Sequence, residues 1–168
     1  EYQYAASGNK DTITEKMKAR VADFISWSPF QITAAMAAGR NIFVQISTGQ
    51  GKTEASALWS IEGLSYQKIL YLLPTMVTTN KMWERIRYYF GRDNVVGLSH
   101  STAGYVIKQM DPEHETFYFR EHILYNRSFF KPVTVATVDQ LIYSFFNWGY
   151  WVLTGSAACN ARIIIDEI

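Results

Sequence analysis

The turn "STGQGKT" (47–53) joins a β-branched run, "NIFVQI" (41–46), to a helix-forming stretch, "KTEASALWSIEGL" (52–64). A strand that feeds a helix through two glycines commits a chain to strand–helix alternation, because the next strand must return across the length of that helix. The pattern then repeats. "KILYLL" (68–73), "NVVGLSH" (94–100), "PVTVAT" (132–137) and "ARIIID" (161–166) read as strands, with helices over "TTNKMWERIRYYFG" (78–91) and "VDQLIYSFF" (138–146). Such units imply an α/β fold with a parallel sheet, right-handed crossovers and helices on both faces. Ahead of the turn, Ile13, Met17, Val21 and Phe24 fall at helical spacing and predict a helical lead-in over 1–26, and "SPFQITAAMAAG" (28–39) predicts a short helix ended by Gly39. Residues 101–130 are aromatic and mixed in charge, with a helix expected around 117–127 inside a long loop.

Composition narrows the function classes. An apolar content of 48% in 168 residues supplies a core for one ordinary domain, and 16 Lys plus Arg against 15 Asp plus Glu leave no global charge that announces nucleic acid. Cys159 is the only cysteine, which excludes an internal disulfide or a cysteine metal site and fits a reducing compartment such as the cytoplasm. No run approaches the roughly 20 apolar residues of a membrane span, and the polar start lacks a signal-peptide core, so no membrane partner is expected. The chain opens at Glu1 and stops at Ile168, directly after an Ile-rich run, and so reads as a piece of a longer protein.

The glycine turn follows the end of the P-loop pattern, with Gly51, Lys52 and Thr53 in place and Ile46 where the first glycine would stand. Gly49 and Gly51, with Thr48 and Gln50 between and before them, let successive backbone N–H groups and the helix N-terminus face phosphate oxygens. Lys52 would neutralise the β and γ phosphates, and the Thr53 hydroxyl would hold Mg²⁺. The other side of the metal calls for an acidic residue at a buried strand end. Asp166 fills that position, and Glu167 beside it suits the activation of an attacking water. Taken alone, each motif also reads as a chance glycine turn and as the solvated end of a strand.

In order and spacing, Gly49-Gln50-Gly51-Lys52-Thr53, Pro74-Thr75, Ala136-Thr137 and Asp166-Glu167-Ile168 resemble motifs I, Ia, Ib and II of the first RecA-like lobe of superfamily 2 helicases. The resemblance spans about 27–168. It implies a RecA-like P-loop NTPase lobe, and Pro29-Phe30-Gln31 resembles the Q motif, which implies that Gln31 reads adenine and that the nucleotide is ATP. The segments "YLLPTMVTTNKMWERI", "FFKPVTVATVDQLIYSFFNWGYWVLTG" and "ARIIIDEI" look like the CRISPR-associated helicase-nucleases of type I systems. That likeness implies a prokaryotic cytoplasmic motor acting on single-stranded DNA, recruited by a Cascade-type surveillance complex, with a second RecA-like lobe and an HD nuclease domain elsewhere in the parent protein.

Pro74, Thr75 and Thr137 are expected at strand ends, where their hydroxyls would contact DNA backbone phosphates or cap helices, or both. The aromatics of 105–130 read as core or as a stacking surface, His100, His114 and His122 as ordinary polar residues, and "FFNWGYWVL" as buried structure or an interface. Other superfamily 2 translocases (an RNA helicase or restriction-type motor), a P-loop kinase or small-molecule ATPase, and a nucleotide-binding docking module without activity of its own remain open at this level.

Overall fold

The computed structural model describes residues 10–21, 24–62, 68–91, 95–110 and 123–167. The chain divides into two compact units, Gln3–Tyr66 and Gln67–Ile168.

The regular elements described in the first unit are all helices. Helix α1 (Lys10–Arg20) buries Ile13 and Met17, and Lys10 Nζ reaches Glu62 Oε1 at 2.6 Å. It stops one residue short of Val21, which is exposed, so the lead-in is shorter than its spacing predicts; Phe24 lies beyond the helix and packs its ring edge-on against Trp27. Helix α2 (Pro29–Met36) starts on a proline whose fixed φ suits the first helical position. Helix α3 (Lys52–Ile61) packs against α2 and buries Ala55, Ala57, Leu58 and Ile61.

The strand expected over 41–46 is not formed. Residues 41–47 carry no strand assignment, and Phe43 is 89% exposed, with Ile42 and Val44 also open to solvent. Among the described residues no neighbouring ladder takes up the backbone groups of this stretch, and a β-branched run becomes a strand only when one does.

The second unit holds the sheet. Strands β1 (Lys68–Leu73), β2 (Val96–Ser99), β3 (Val133–Thr137) and β4 (Ala161–Ile165) lie parallel in the order β2-β3-β1-β4. β1 is central and buried from Ile69 to Leu73, which accounts for its unbroken apolar sequence: a parallel strand covered on both faces has no polar side to show. Leu70 and Leu72 form a cluster with Phe129, Ala136 and Ala157. Helix α4 (Met76–Phe90) packs on β1, β2 and β3 through a buried stripe that includes Trp83, Ile86 and Phe90. Helix α5 (Ala103–Met110) follows β2, and a helical turn at 123–127 covers the described end of the helix expected near 117; residues 111–122 lie outside the description. Helices α6 (Val138–Phe145) and α7 (Trp151–Cys159) pack on each other and close the return to β4. The run at 161–166, expected as a buried strand, forms a strand that is not buried: among the described residues β4 lies at the sheet edge, with no further strand to cover Ile163 and Ile165, which are exposed. Among the described residues no helix is long and apolar enough to cross a membrane.

Candidate functional site

In the first unit the glycine turn is held in a conformation that only glycine enters cheaply. Gly49 and Gly51 both sit at φ +82°, in the left-handed region. Gly51 is constrained twice, because a Cβ there would also collide with the side-chain nitrogen of Gln31. Gln31 is the brace of this loop. Its Nε2 donates to the Gly51 carbonyl at 3.2 Å, its Oε1 accepts from the Ser28 N–H at 2.9 Å, and only 8% of the residue is exposed. One amide therefore ties the start of α2 to the start of α3. The Gly51 carbonyl also accepts from the Ala55 N–H at 3.0 Å, the first α-helical bond of α3.

Lys52 and Thr53 follow on the opening turn of α3, half-buried and buried respectively, while Thr48, Gly49 and Gln50 are exposed. The first N–H groups of a helix have no intrahelical acceptor, and the helix dipole adds partial positive charge at the same place. Among the described residues Lys52 joins no salt bridge. The turn therefore brings a helix N-terminus and the Lys52 ammonium together, a combination suited to phosphate oxygens.

In the second unit the carboxyl ends of the strands share one edge, as the register Leu73↔Thr137, Ser99↔Ala136 and Leu72↔Ile165 requires. Open parallel sheets present ligands at that edge. Asp166 leaves β4 with its N–H on the Leu72 carbonyl at 3.0 Å. Its Oδ2 accepts from the hydroxyl of Tyr71 at 2.7 Å and its Oδ1 from the Glu167 N–H at 3.0 Å, so both oxygens are oriented while lone pairs remain on each. Glu167 is exposed and has φ +61°, a left-handed conformation that costs a non-glycine residue about 1–2 kcal/mol. Residues held in that region cluster at functional sites.

Thr75 is the N-cap of α4: its Oγ1 accepts from the Thr78 N–H at 3.3 Å, and both it and Pro74 are exposed. Thr137 is the N-cap of α6, is 3% exposed, and makes no capping bond through its side chain. Of the two readings open for these residues, capping is present at Thr75 and absent at Thr137.

A family model of DEAD/DEAH box helicases matches residues 28–168, which takes in the glycine turn, both threonines and the Asp166–Glu167 pair. The chain belongs to the DEAD/DEAH box helicase family. It is 32% identical over 153 residues to a CRISPR-associated nuclease/helicase Cas3 of Methanocaldococcus jannaschii, covering 84% of this chain and 21% of that protein. Crystal structures of T. fusca Cas3 with ADP and with ATP superpose with TM-scores of 0.62 and 0.64 at 21% and 18% identity. They cover 97% and 98% of this chain and 20% of theirs, and show that the fold is shared. This helicase domain thus spans about one fifth of the length of the relatives it matches.

One residue of this helicase domain escaped the sequence reading, and a second, His100, was expected only as an ordinary polar residue. Tyr71, buried within "KILYLL", orients Asp166; a hydroxyl inside the apolar part of the strand was its only signal. His100 is 2% exposed at the end of β2, with Nε2 bonded to Asn80 Oδ1 at 2.8 Å and Nδ1 accepting from the Thr102 N–H at 3.3 Å. Burial pushes its pKa below the ordinary value, against the pull of Asp139. His114 and His122 lie outside the described residues.

Proposed function

We propose that this chain is the first RecA-like lobe, residues 27–168 with a helical lead-in over 1–26, of an ATP-dependent DNA helicase acting in type I CRISPR interference. The observation that carries the reading is the braced turn at the head of α3, with Gly49 and Gly51 in left-handed geometry directly before Lys52 and Thr53. The names of its relatives and the ATP and ADP bound in the T. fusca structures supply the context.

In this reading the backbone N–H groups from Thr48 to Thr53 hold the phosphates of ATP, and the Lys52 ammonium neutralises the β and γ oxygens. The donors fit Mg²⁺: a hydroxyl at Thr53 and a pre-oriented carboxylate at Asp166 are hard oxygens, and this ion takes few protein ligands alongside water and phosphate. Bound there, Mg²⁺ would neutralise charge on the β- and γ-phosphoryl oxygens. Glu167 accepts the proton of the attacking water. Pro74 and Thr75, exposed at the carboxyl edge, and the helix N-terminus that begins at the buried Thr137 contact the backbone of single-stranded DNA. A second RecA-like lobe, an HD nuclease domain and a Cascade-type complex complete the machine in the cytoplasm.

The test is steady-state ATP hydrolysis by the full-length parent. Stimulation by single-stranded DNA is expected; stimulation by RNA alone would make the motor an RNA helicase, and none by either would remove it from the translocases. Gln31→Ala gives a second outcome. The amide that braces Gly51 keeps one N–H for the adenine edge, so ATP affinity should fall about 10-fold while GTP affinity falls less. Equal losses for the two nucleotides would leave Gln31 as a brace only.

A further inference from the structure

The sheet edge of the second unit carries a cavity of about 230 Å³ that the ATP chemistry does not use. His100, at the end of β2, lines it together with the ring pair Tyr143 and Trp148, whose centroids are 6.0 Å apart and whose planes are inclined by 35°; Gln140, Tyr150 and Arg127 are among the other lining residues. We propose that this cavity is a stacking pocket for one unpaired nucleobase of a single strand, a contact to the base that supplements the backbone contacts assigned above. It rests on the nucleic-acid reading of the lobe.

The aromatic pair is built rather than incidental. Trp148 is 73% exposed, yet its backbone is fixed: its N–H donates to the Tyr143 carbonyl at 3.1 Å, and that of Phe146 does so at 3.2 Å. Asn147 at φ +55° and Gly149 at φ +64° flank it, two residue types that accept left-handed geometry, and together they turn the indole back toward α6. With its main chain fixed and its ring beside Tyr143, the exposed indole has only side-chain torsions left to lose when a ring stacks on it.

Size and chemistry then select the occupant. Cavities for drug-sized ligands run from about 300 to 1,000 Å³, so this smaller one matches a single planar ring system. His100 offers a ring face and no charge, because both of its nitrogens are bonded and burial favours its neutral form. Gln140 spends one N–H on Asp139 Oδ2 at 3.0 Å, and its amide oxygen accepts no bond among the described residues, leaving a group for a base edge. Arg127 is exposed at the rim, where a backbone phosphate following the base would pass. Thr137 begins the helix that carries Gln140 and Tyr143, so the pocket opens from the edge to which the phosphate contacts are assigned.

The experiment measures binding of a labelled oligodeoxythymidine of about 12 nucleotides, within the usual site sizes of single-strand binders, beside an abasic strand of equal length. Trp148→Ala should weaken the thymidine strand about 10-fold and leave the abasic strand unchanged, while Trp148→Phe, which keeps a stacking face, should stay within about 3-fold of wild type. The abasic comparison needs no variant, and melting temperatures check that each variant is folded. Equal binding of both strands, unaffected by Trp148→Ala, would overturn the pocket and leave the backbone reading intact. Failure of the wild-type chain to bind any strand would overturn both. An oligouridine ribonucleotide that binds more tightly and shows the same Trp148→Ala loss would uphold the pocket and assign it to RNA.

Discussion

Lys52→Ala is expected to reduce ATP turnover of the full-length parent by about 10²- to 10³-fold, the usual cost of removing one preorganised partner for transition-state charge. The reason lies in how the phosphate cradle is divided. The left-handed glycines and the N-terminus of α3 survive the substitution, so the loop keeps its shape and some affinity for anions. What disappears is the one mobile cation on the opening turn of the helix. The fold should not notice: Ala is at least as good a helix former as Lys, and among the described residues Lys52 joins no salt bridge. An unchanged melting temperature, weakened binding of a fluorescent ATP analogue and collapsed hydrolysis would together form the signature. Lys52→Arg should recover only part of the rate, since a planar fork does not replace a compact ammonium. Full turnover in Lys52→Ala would end the assignment of this loop to the triphosphate.

The four strands of the sheet were legible because each is a short, largely apolar run closed by a turn signal; β2 and β3 are buried throughout and β1 from Ile69 onward, whereas β4 keeps its isoleucine run with Ile163 and Ile165 exposed. The run at 41–46 has the same composition and forms no strand. Strand identity belongs to a pair, and a single sequence names no partner for Phe43 or Val44. Val21 fits the spacing of α1 and lies outside it for a related reason: periodicity states which residues would share a face and is silent on where the backbone leaves the helix. The same division applies to function. Gly51, Lys52 and Thr53 are contiguous, so their chemistry could be read directly. Tyr71 and Asp166 are 95 residues apart, and the aromatic pocket gathers His100, Gln140 and Trp148 from three segments. Only the register of β1 with β4, and the fold of α6 onto the end of β2, bring such groups together.

Glu167→Gln should separate binding from chemistry. The amide has nearly the volume and shape of the carboxylate, and the left-handed backbone at this position, φ +61°, is as accessible to Gln as to Glu. The bond from the Glu167 N–H to Asp166 Oδ1 belongs to the main chain and remains, as does the one from Tyr71 to Asp166 Oδ2, so the carboxylate assigned to Mg²⁺ keeps its aim. Affinity of the full-length parent for Mg·ATP is therefore expected to stay within about 3-fold of wild type, while single-turnover hydrolysis falls by about 10²- to 10⁴-fold, the usual contribution of a positioned general base. The positive φ is part of the argument. It breaks the two-residue alternation of the strand immediately after Asp166, so that consecutive carboxylates serve different tasks: one is tied down by a buried tyrosine and the other stands free in solvent to meet water. A fluorescent ATP titration beside a quenched-flow measurement decides the matter. Parallel losses of affinity and rate would make Glu167 a structural residue of the strand end, and an undiminished rate would place the base elsewhere in the protein.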